Sequence, residues 1–586
     1  MKCQLLNKVA LILCCLMPAS MIYADGFLHE RESLNDNAND GLIYSIGQPA
    51  AHSGFNTDIA DWSIQLNAPM TSSLKLADVD GDGHQEIVAT TFGPQPNPYG
   101  AGRIFVVDGD GEILQGWPLV TNSPFSSGAA IGDVDNDGDM EIAAGSWSSM
   151  YLLNADGSNC EGWPIGTGVN YAPSLADLDG DGDLEVIYPS GNILYVRNYD
   201  GSYFDNFPVS APDQLGSPAI GDIDNDGQLE IIAGTLAGPV GPDPYEIYAW
   251  KLDGTVMDGF PVATSGVVKS TPALGDINND GYLEIVAAAY HTSNQDYIYC
   301  LDYQGNELDG WPIRANYVRL SSPALADLND DGYLEIFIGG LNTQGGFTEI
   351  IYGFDYQGID LDGWPVFLPH EGGAGNINSS PVVAEIDGET ESPEVFVKTY
   401  GYVFGLNADG SFIEGFPYPI NDDGNSGTYA PSPAIGDIDN DGDADLIFGS
   451  ASGRLYYFDW AGVYDADKSD WPMYKHDQWG LGRFEGAIET DIAATDVLPS
   501  EFKLSQNYPN PFNGSTTIQY DIAQASAVSI IIYDILGRRV MTLIDEMQAA
   551  GHYQLNWSAR KLSSGIYYYK LRAGEYTETR QMIFLK

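Results

Sequence analysis

LADVDGDGHQEIVATT, residues 76–91, decides the reading of this chain. Asp78, Asp80 and Asp82 stand at alternate positions, Gly83 follows, and Glu86 closes a nine-residue loop. The pattern returns at Asp133, Asp135, Asp137 and Glu141, and at Asp177, Asp179, Asp181 and Glu185. It returns again at Asp222, Asp224, Asp226 and Glu230, and at Asp276, Asn278, Asp280 and Glu284. Two more copies are Asp327, Asn329, Asp331, Glu335 and Asp437, Asp439, Asp441, Asp445. A degraded copy starts at Glu385, with Thr390 where the others have Gly and one extra residue before the acid. Hard cations such as Ca²⁺ take several oxygen ligands at ~2.3–2.6 Å, and the loop Gly permits the turn that brings them together. Seven copies in register predict a set of calcium ions, with the residues just named as ligands.

The loops start 44 to 58 residues apart, and the same segments recur around each of them. A small-residue strand such as SPAIGD precedes the loop, and an apolar strand such as EIIAGT follows. An aromatic strand such as RIFVVD comes next, then an Asp-Gly turn (108–109, 156–157, 200–201, 253–254, 409–410). Asp-Gly between apolar runs is a hairpin signal, because Gly accepts positive φ without steric cost. Last comes a Trp or Phe before Pro, at Trp117, Trp163, Phe207, Phe260, Trp311, Trp364, Phe416 and Trp471. Four short strands per ~50-residue unit predict an all-β fold, a calcium-bearing β-propeller. Eight units imply eight blades, with seven as the alternative. Trp62 resembles a leftover last strand, which closes the ring on the final unit or is displaced by Trp471-Pro472. The recurring ring before Pro is expected to pack between blades rather than to hold a ligand.

Net charge is −59, unevenly distributed. Residues 501–586 hold 9 basic and 7 acidic side chains, against 15 and 76 in residues 1–500. Such an acidic body excludes nucleic acid and anionic membrane as partners. Lys2, Lys8 and the apolar run 9–17 read as a signal peptide, 1–24, followed by an N-terminal segment, 25–60. No later run approaches the ~18 apolar residues of a membrane span. Of five cysteines, Cys160 and Cys300 lie beyond the signal, too differently placed in their repeats to predict a disulfide. The propeller is assigned to 61–484 and a linker to 485–500. About seven short alternating strands in 501–586 predict a small immunoglobulin-like β-sandwich.

The repeats resemble the FG-GAP and VCBS families, the propeller repeats of integrin α-subunits and of bacterial surface proteins. The acidic loops and WPMYKHDQWG, 471–480, carry that resemblance. It implies metal at the loop positions given above. The tail is similar to type IX secretion C-terminal sorting domains, through NYPNPFNGSTTI (507–518), IYDILGRRV (532–540) and LSSGIYYYKLRAGEYTETRQMIFLK (562–586). That resemblance implies the type IX machinery as a partner of 501–586. The protein is then secreted, or held on the outer-membrane surface of a Gram-negative bacterium.

No catalytic constellation is legible. The seven histidines form no metalloprotease motif, and neither a phosphate loop nor a G-x-S-x-G elbow occurs. The expected function is therefore not enzymatic. It is a binding or adhesion module for an extracellular glycan or protein. A polysaccharide lyase or other carbohydrate-active propeller enzyme is the first alternative, and a structural surface protein the second. Strands alternate in direction, so acidic loops and Asp-Gly turns share one face. The long insertions, 91–102, 235–246, 289–297, 340–349, 367–380 and 420–430, share the other. Variable loops on a rigid scaffold commonly carry binding residues. Tyr99, Tyr245, His291, His370 and Tyr429 are the ligand-binding candidates.

Overall fold

The inner strands of the repeats are short and made of small residues, and in the computed structural model crowding explains why. A Cβ on Gly132 would stand 2.8 Å from the Leu184 side chain and 2.9 Å from that of Trp479. The described residues run from 62 to 483 and from 502 to 584, apart from 67, 71, 94–98, 237–244, 292–295, 319–320, 330, 343–347, 370–376, 378, 387–391, 400, 421–430, 465–468, 501–586 being interrupted at 505–506, 508–509, 511–514, 524–525, 536–537, 549–550, 559–564 and 575. The expected signal peptide, N-terminal segment and linker lie outside them.

Eight small antiparallel sheets follow one another along 62–463. The first runs Lys75–Ala77, Glu86–Thr91, Arg103–Val107, Leu119–Val120, each strand paired with the next. The second, Ala130–Gly132, Glu141–Gly145, Met150–Asn154, has an isolated bridge from Met150 to Ile165 in place of a fourth strand. Sheets three to seven repeat the four-strand order, beginning at Ser174–Ala176, Ala219–Gly221, Ala273–Gly275, Ala324–Ala326 and Val382–Ala384, and the fourth and fifth add a two-residue strand, Gln214–Leu215 and Val267–Val268, beside the second strand. The eighth takes Ala434–Gly436, Asp443–Gly449 and Arg454–Val463 from one end of the repeat region and its outer strand, Trp62–Gln65, from the other. Trp62 pairs with Tyr457 and Gln65 with Arg454.

Each inner strand touches the inner strand of the next sheet, and that of the eighth touches that of the first. The architecture is all-β and propeller-like. Its apolar cores lie between neighbouring sheets rather than at one centre. Val88, Ile104 and Trp117 of the first sheet pack with Ile131 and Ile142 of the second. Ile87 of the first packs with Ile447 and Tyr457 of the eighth. Second strands are therefore covered on both faces, which is why all six residues of EIVATT, polar and apolar alike, are buried.

The recurring rings fill the gaps between sheets. Trp117 Nε1 donates to Ala155 O at 2.9 Å, Trp163 Nε1 to Tyr199 O at 2.8 Å and Trp364 Nε1 to Ala408 O at 2.9 Å. Each acceptor belongs to the turn of the following sheet. Trp62 Nε1 does the same from the eighth sheet to Gly109 of the first, at 2.6 Å. Trp471 does not belong to this series. The outer place in the eighth sheet goes to Trp62, and Trp471 bridges instead to Val383, on an inner strand. One turn also differs from its expected register. Gly111, not Gly109, holds the positive φ of 82° and donates its N–H to Asp108 O, so the Asp-Gly pair that matches the other turns is Asp110-Gly111.

Cys160 and Cys300 are both free thiols. The tail forms a three-stranded sheet (Lys503–Leu504, Ser515–Ile522, Gly551–Ser558) and a four-stranded one (Arg539–Gln548, Ser526–Asp534, Gly565–Ala573, Tyr576–Phe584). Ile518, Tyr520 and Ile522 of the one share a core with Ile530, Ile532, Tyr569 and Leu571 of the other. Asn510 ties its segment to the last strand, accepting from Ile583 N at 2.8 Å and donating to Gln581 O at 3.3 Å. Among the described residues no helix is long and apolar enough to cross a membrane.

Candidate functional site

Each acidic loop is wound by its own carboxylates. The first Asp accepts from the N–H of the loop Gly, as in Gly83 to Asp78 Oδ2 at 3.1 Å and Gly332 to Asp327 Oδ2 at 2.8 Å. The fifth residue accepts from the seventh, as in His84 N to Asp82 Oδ1 at 2.9 Å. One oxygen of the closing acid accepts from the second residue, as in Val79 N to Glu86 Oε2 at 2.7 Å and Ile438 N to Asp445 Oδ2 at 2.6 Å. The degraded copy keeps this last bond, from Ile386 N to Glu394 Oε2 at 3.1 Å, so Glu394 takes the closing role.

A further regularity lies at the fourth position. Gly81 and Gly180 have φ of 74° and 75°, and Asn136, Asn225, Asn279 and Asn440 have φ between 53° and 60°. Only Gly and Asn adopt this left-handed backbone at low cost. The Asn side chains also link loops. Asn225 Nδ2 donates to Gly281 O of the next loop at 3.2 Å, and Asn440 Nδ2 to Gly83 O at 3.3 Å, from the eighth sheet to the first.

Carboxylate oxygens converge within 4.8 Å in Asp78/Asp80/Glu86, Asp133/Asp135/Glu141, Asp177/Asp179/Glu185, Asp222/Asp224/Asp226 and Asp437/Asp439/Asp445, close enough to hold a metal ion. In the loops at 276 and 327 the third position is an amide. Asn278 Nδ2 and Asn329 Nδ2 donate to Glu284 Oε1 at 3.0 Å and Glu335 Oε1 at 3.1 Å. The loops also leave oxygens without donors. Asp78 Oδ1, Asp224 Oδ1, Asn278 Oδ1 and Asp437 Oδ1 are buried with no hydrogen-bond partner. Buried oxygens without donors are rare and costly, and a hard cation would satisfy them. Burial pushes Glu86 and Glu141 up to about 7 and Glu185, Glu230, Glu284 and Glu335 up to about 8, with neighbouring Asp charges adding to it. Burial also lifts Asp445 to about 7. The fourth loop has a counter-charge of its own, because Lys251 Nζ lies 3.2 Å from Asp224 and 3.5 Å from Asp226.

The FG-GAP-like repeat family matches residues 78–144, 177–233 and 246–338. The secretion system C-terminal sorting domain family matches residues 506–585. This chain carries FG-GAP-like repeats and a type IX sorting domain. The sorting domain makes it a secreted or cell-surface protein. Among solved structures, the chain is similar to the V. cholerae biofilm matrix protein Bap1, at 14% identity and a TM-score of 0.50 over 71% of this chain and 94% of that one. It is also similar to the Pseudomonas aeruginosa PilY1 C-terminal domain (13%, TM-score 0.34, 61% and 93% covered). PorZ, a surface component of the type IX secretion system of Porphyromonas gingivalis, is 10% identical with a TM-score of 0.16 (89% and 82% covered). Of these three, Bap1 bears on the fold, and on the fold alone. No curated protein sequence matches the chain.

The ends of the sheets away from the acidic loops carry further candidate residues. In the first sheet Ile87 pairs with Val107 beside the acidic loop and Thr91 with Arg103 at the far end, so 92–102 leaves the far end. There Tyr99, 58% exposed, stacks on Trp147 of the second sheet with ring centroids 5.9 Å apart. Phe92 meets the same indole edge-on at 5.7 Å. Tyr245 opens the third strand of the fourth sheet, half-buried. His291 follows the second strand of the fifth and donates its N–H to Asp296 Oδ1 at 3.0 Å. His370 and Tyr429 lie outside the described residues.

Sequence reading missed Trp147, whose partner comes from another repeat. It also missed a buried acid at the same end. Glu349 is 1% exposed, with neither carboxylate oxygen hydrogen-bonded. Burial pushes it up to about 7, while the nearby Thr399 hydroxyl and Lys398 ammonium pull it part-way back. The folded chain therefore holds a proton here that the unfolded chain has released. This contribution to stability is full below pH ~4.5 and is lost as pH rises through about 7. Glu349→Gln should gain on the wild type by roughly 2–3 kcal/mol between pH 4.5 and 8, at 1.36 kcal/mol per unit. Denaturant melts at both pH values check this. A stability difference that does not change with pH would refute it.

Proposed function

We propose that the chain is a calcium-stabilised, eight-bladed propeller that binds an extracellular glycan or protein through the face opposite its acidic loops. One observation carries this reading. A ring with its acidic loops at one end places its insertions at the other, where Tyr99 stands exposed on Trp147. An exposed aromatic face backed by a second ring offers a rigid apolar platform at small entropic cost. Glycans present flat C–H faces to such rings, and protein partners bury them as anchors. The ligands proposed for calcium are the loop residues assigned from the sequence, and the two tail sheets are read as an immunoglobulin-like sandwich. The type IX machinery would recognise this tail and deliver the protein to the outer-membrane surface. We read the chain as a binding module and not an enzyme.

The test is a glycan and matrix-protein array probed with the secreted chain, with and without calcium. Tyr99→Ala combined with Trp147→Ala should weaken the captured ligand by at least ~10-fold, the scale of one anchor, and leave calcium-dependent melting intact. Undiminished binding by the double variant would place the site elsewhere. So would loss of binding only on substituting residues of the acidic-loop face. Release of unsaturated sugars from a bound polysaccharide would replace the binding reading with the lyase.

A further inference from the structure

The segment 470–483 runs past all eight sheets in ring order. Asp470 Oδ2 accepts from Asp327 N of the sixth sheet at 2.9 Å. Trp471 exchanges two backbone hydrogen bonds with Val383 of the seventh, both at 2.9 Å, and Pro472 O accepts from Ile435 N of the eighth at 3.0 Å. The first sheet contributes a side chain instead. Lys75, 1% exposed, donates to Tyr474 O at 2.6 Å and also to Asp477 O. Gln478 O then accepts from Ile131 N of the second sheet at 2.8 Å and Trp479 O from Leu175 N of the third at 3.0 Å. Leu481 O accepts from Ile220 N of the fourth at 2.8 Å and Gly482 O from Leu274 N of the fifth at 2.9 Å.

Every one of these donors sits on, or directly after, an inner strand. An inner strand has a sheet partner on one side only, so its other row of N–H groups faces the axis. Such groups, buried without acceptors, each cost about 1–3 kcal/mol. The segment supplies the acceptors. Two of its polar side chains are also hydrogen-bonded. Lys475 Nζ donates to Ser174 Oγ at 2.8 Å, and Asp477 Oδ1 accepts from Gly480 N at 2.6 Å and Leu481 N at 3.1 Å. Gly480 and Gly482, both at φ 70°, let the segment turn where Pro173 O and Pro272 O press on it.

We propose that residues 470–483 form an internal latch that seats after the ring has closed and couples the eight sheets into one cooperative unit. The order follows from geometry. The acceptors fit donors from all eight sheets, and these donors surround one axis only once the eighth sheet has taken Trp62–Gln65 from the start of the repeat region. Trp471 and Lys475 of the latch are each 2% exposed.

Hydrogen exchange on the full calcium-loaded chain tests this. Trp471→Ala removes a side chain that packs with the core shared by sheets five to seven. The latch predicts that the amides of Leu175 and Ile220, in the third and fourth sheets, lose protection by at least tenfold along with Val383. The ladders between second and third strands should stay protected. Loss confined to Val383 and Ile435 would overturn the proposal. If the variant does not fold, the wild-type chain in graded denaturant decides the matter. A single opening free energy shared by Ile131, Leu175, Ile220, Leu274, Val383 and Ile435 supports the latch, and separate openings sheet by sheet overturn it.

Discussion

Chelating calcium should lower the melting temperature of the secreted chain by at least ~10 °C. Seven loops each gather three or four oxygen-bearing side chains, several with a buried oxygen that has no donor. An ion that binds only the folded state adds about 2.7 kcal/mol per site at a hundredfold excess over its Kd. For a domain of 150–250 residues each kcal/mol is worth roughly 2–4 °C, so even after scaling to a larger ring a few occupied loops suffice. The pH dependence has a definite sign. Glu86 and Glu185 are raised to about 7 and about 8, so the metal-free ring is most stable when they are protonated and loses stability as pH rises from ~4.5 to 8. Calcium takes the place of those protons, so its stabilising effect should grow over the same interval. Calorimetry with and without chelator, at pH 5 and pH 8, measures both. An unchanged melting curve at pH 8, with metal shown to be absent, would rule out calcium as a structural component.

Removing residues 501–586 should abolish delivery to the cell surface and leave the eight-sheet ring folded. The tail matches the sorting-domain family over 506–585, and its charge balance differs sharply from that of the rest of the chain. Its core is drawn from residues between Leu504 and Phe584, so truncation takes no side chain from the cores between the eight sheets. In a host with type IX secretion, fractionation should find the truncated protein retained inside the cell envelope. Recovered from there, it should show the same calcium-dependent melt as the full chain. Normal surface display without the tail would show that export is directed by another segment.

The acidic loops, the strands around them and the sorting tail were legible in the sequence, because each is a local pattern. The alternating carboxylates, the loop Gly and the closing acid lie within nine residues, so their hydrogen bonds are set by the loop's own backbone. The Gly or Asn at the fourth position was equally visible, and its positive φ gives the reason. Local pattern also misled. Trp471-Pro472 has the dipeptide of an outer strand, yet that place goes to Trp62. DGDG, 108–111, contains two Asp-Gly pairs, and it is the Gly of the second that takes the positive φ.

Tertiary structure decided what depends on ring closure. The path of 470–483 past all eight inner strands rests on hydrogen bonds between residues hundreds of positions apart, such as Lys75 with Tyr474 and Ser174 with Gly480. No periodicity encodes them, because each donor is an ordinary inner-strand amide until the circle is complete. Tyr99 meets Trp147, and Glu349 meets Lys398, for the same reason. Each pair comes from adjacent sheets, and what brings them together is the packing of apolar faces around the ring.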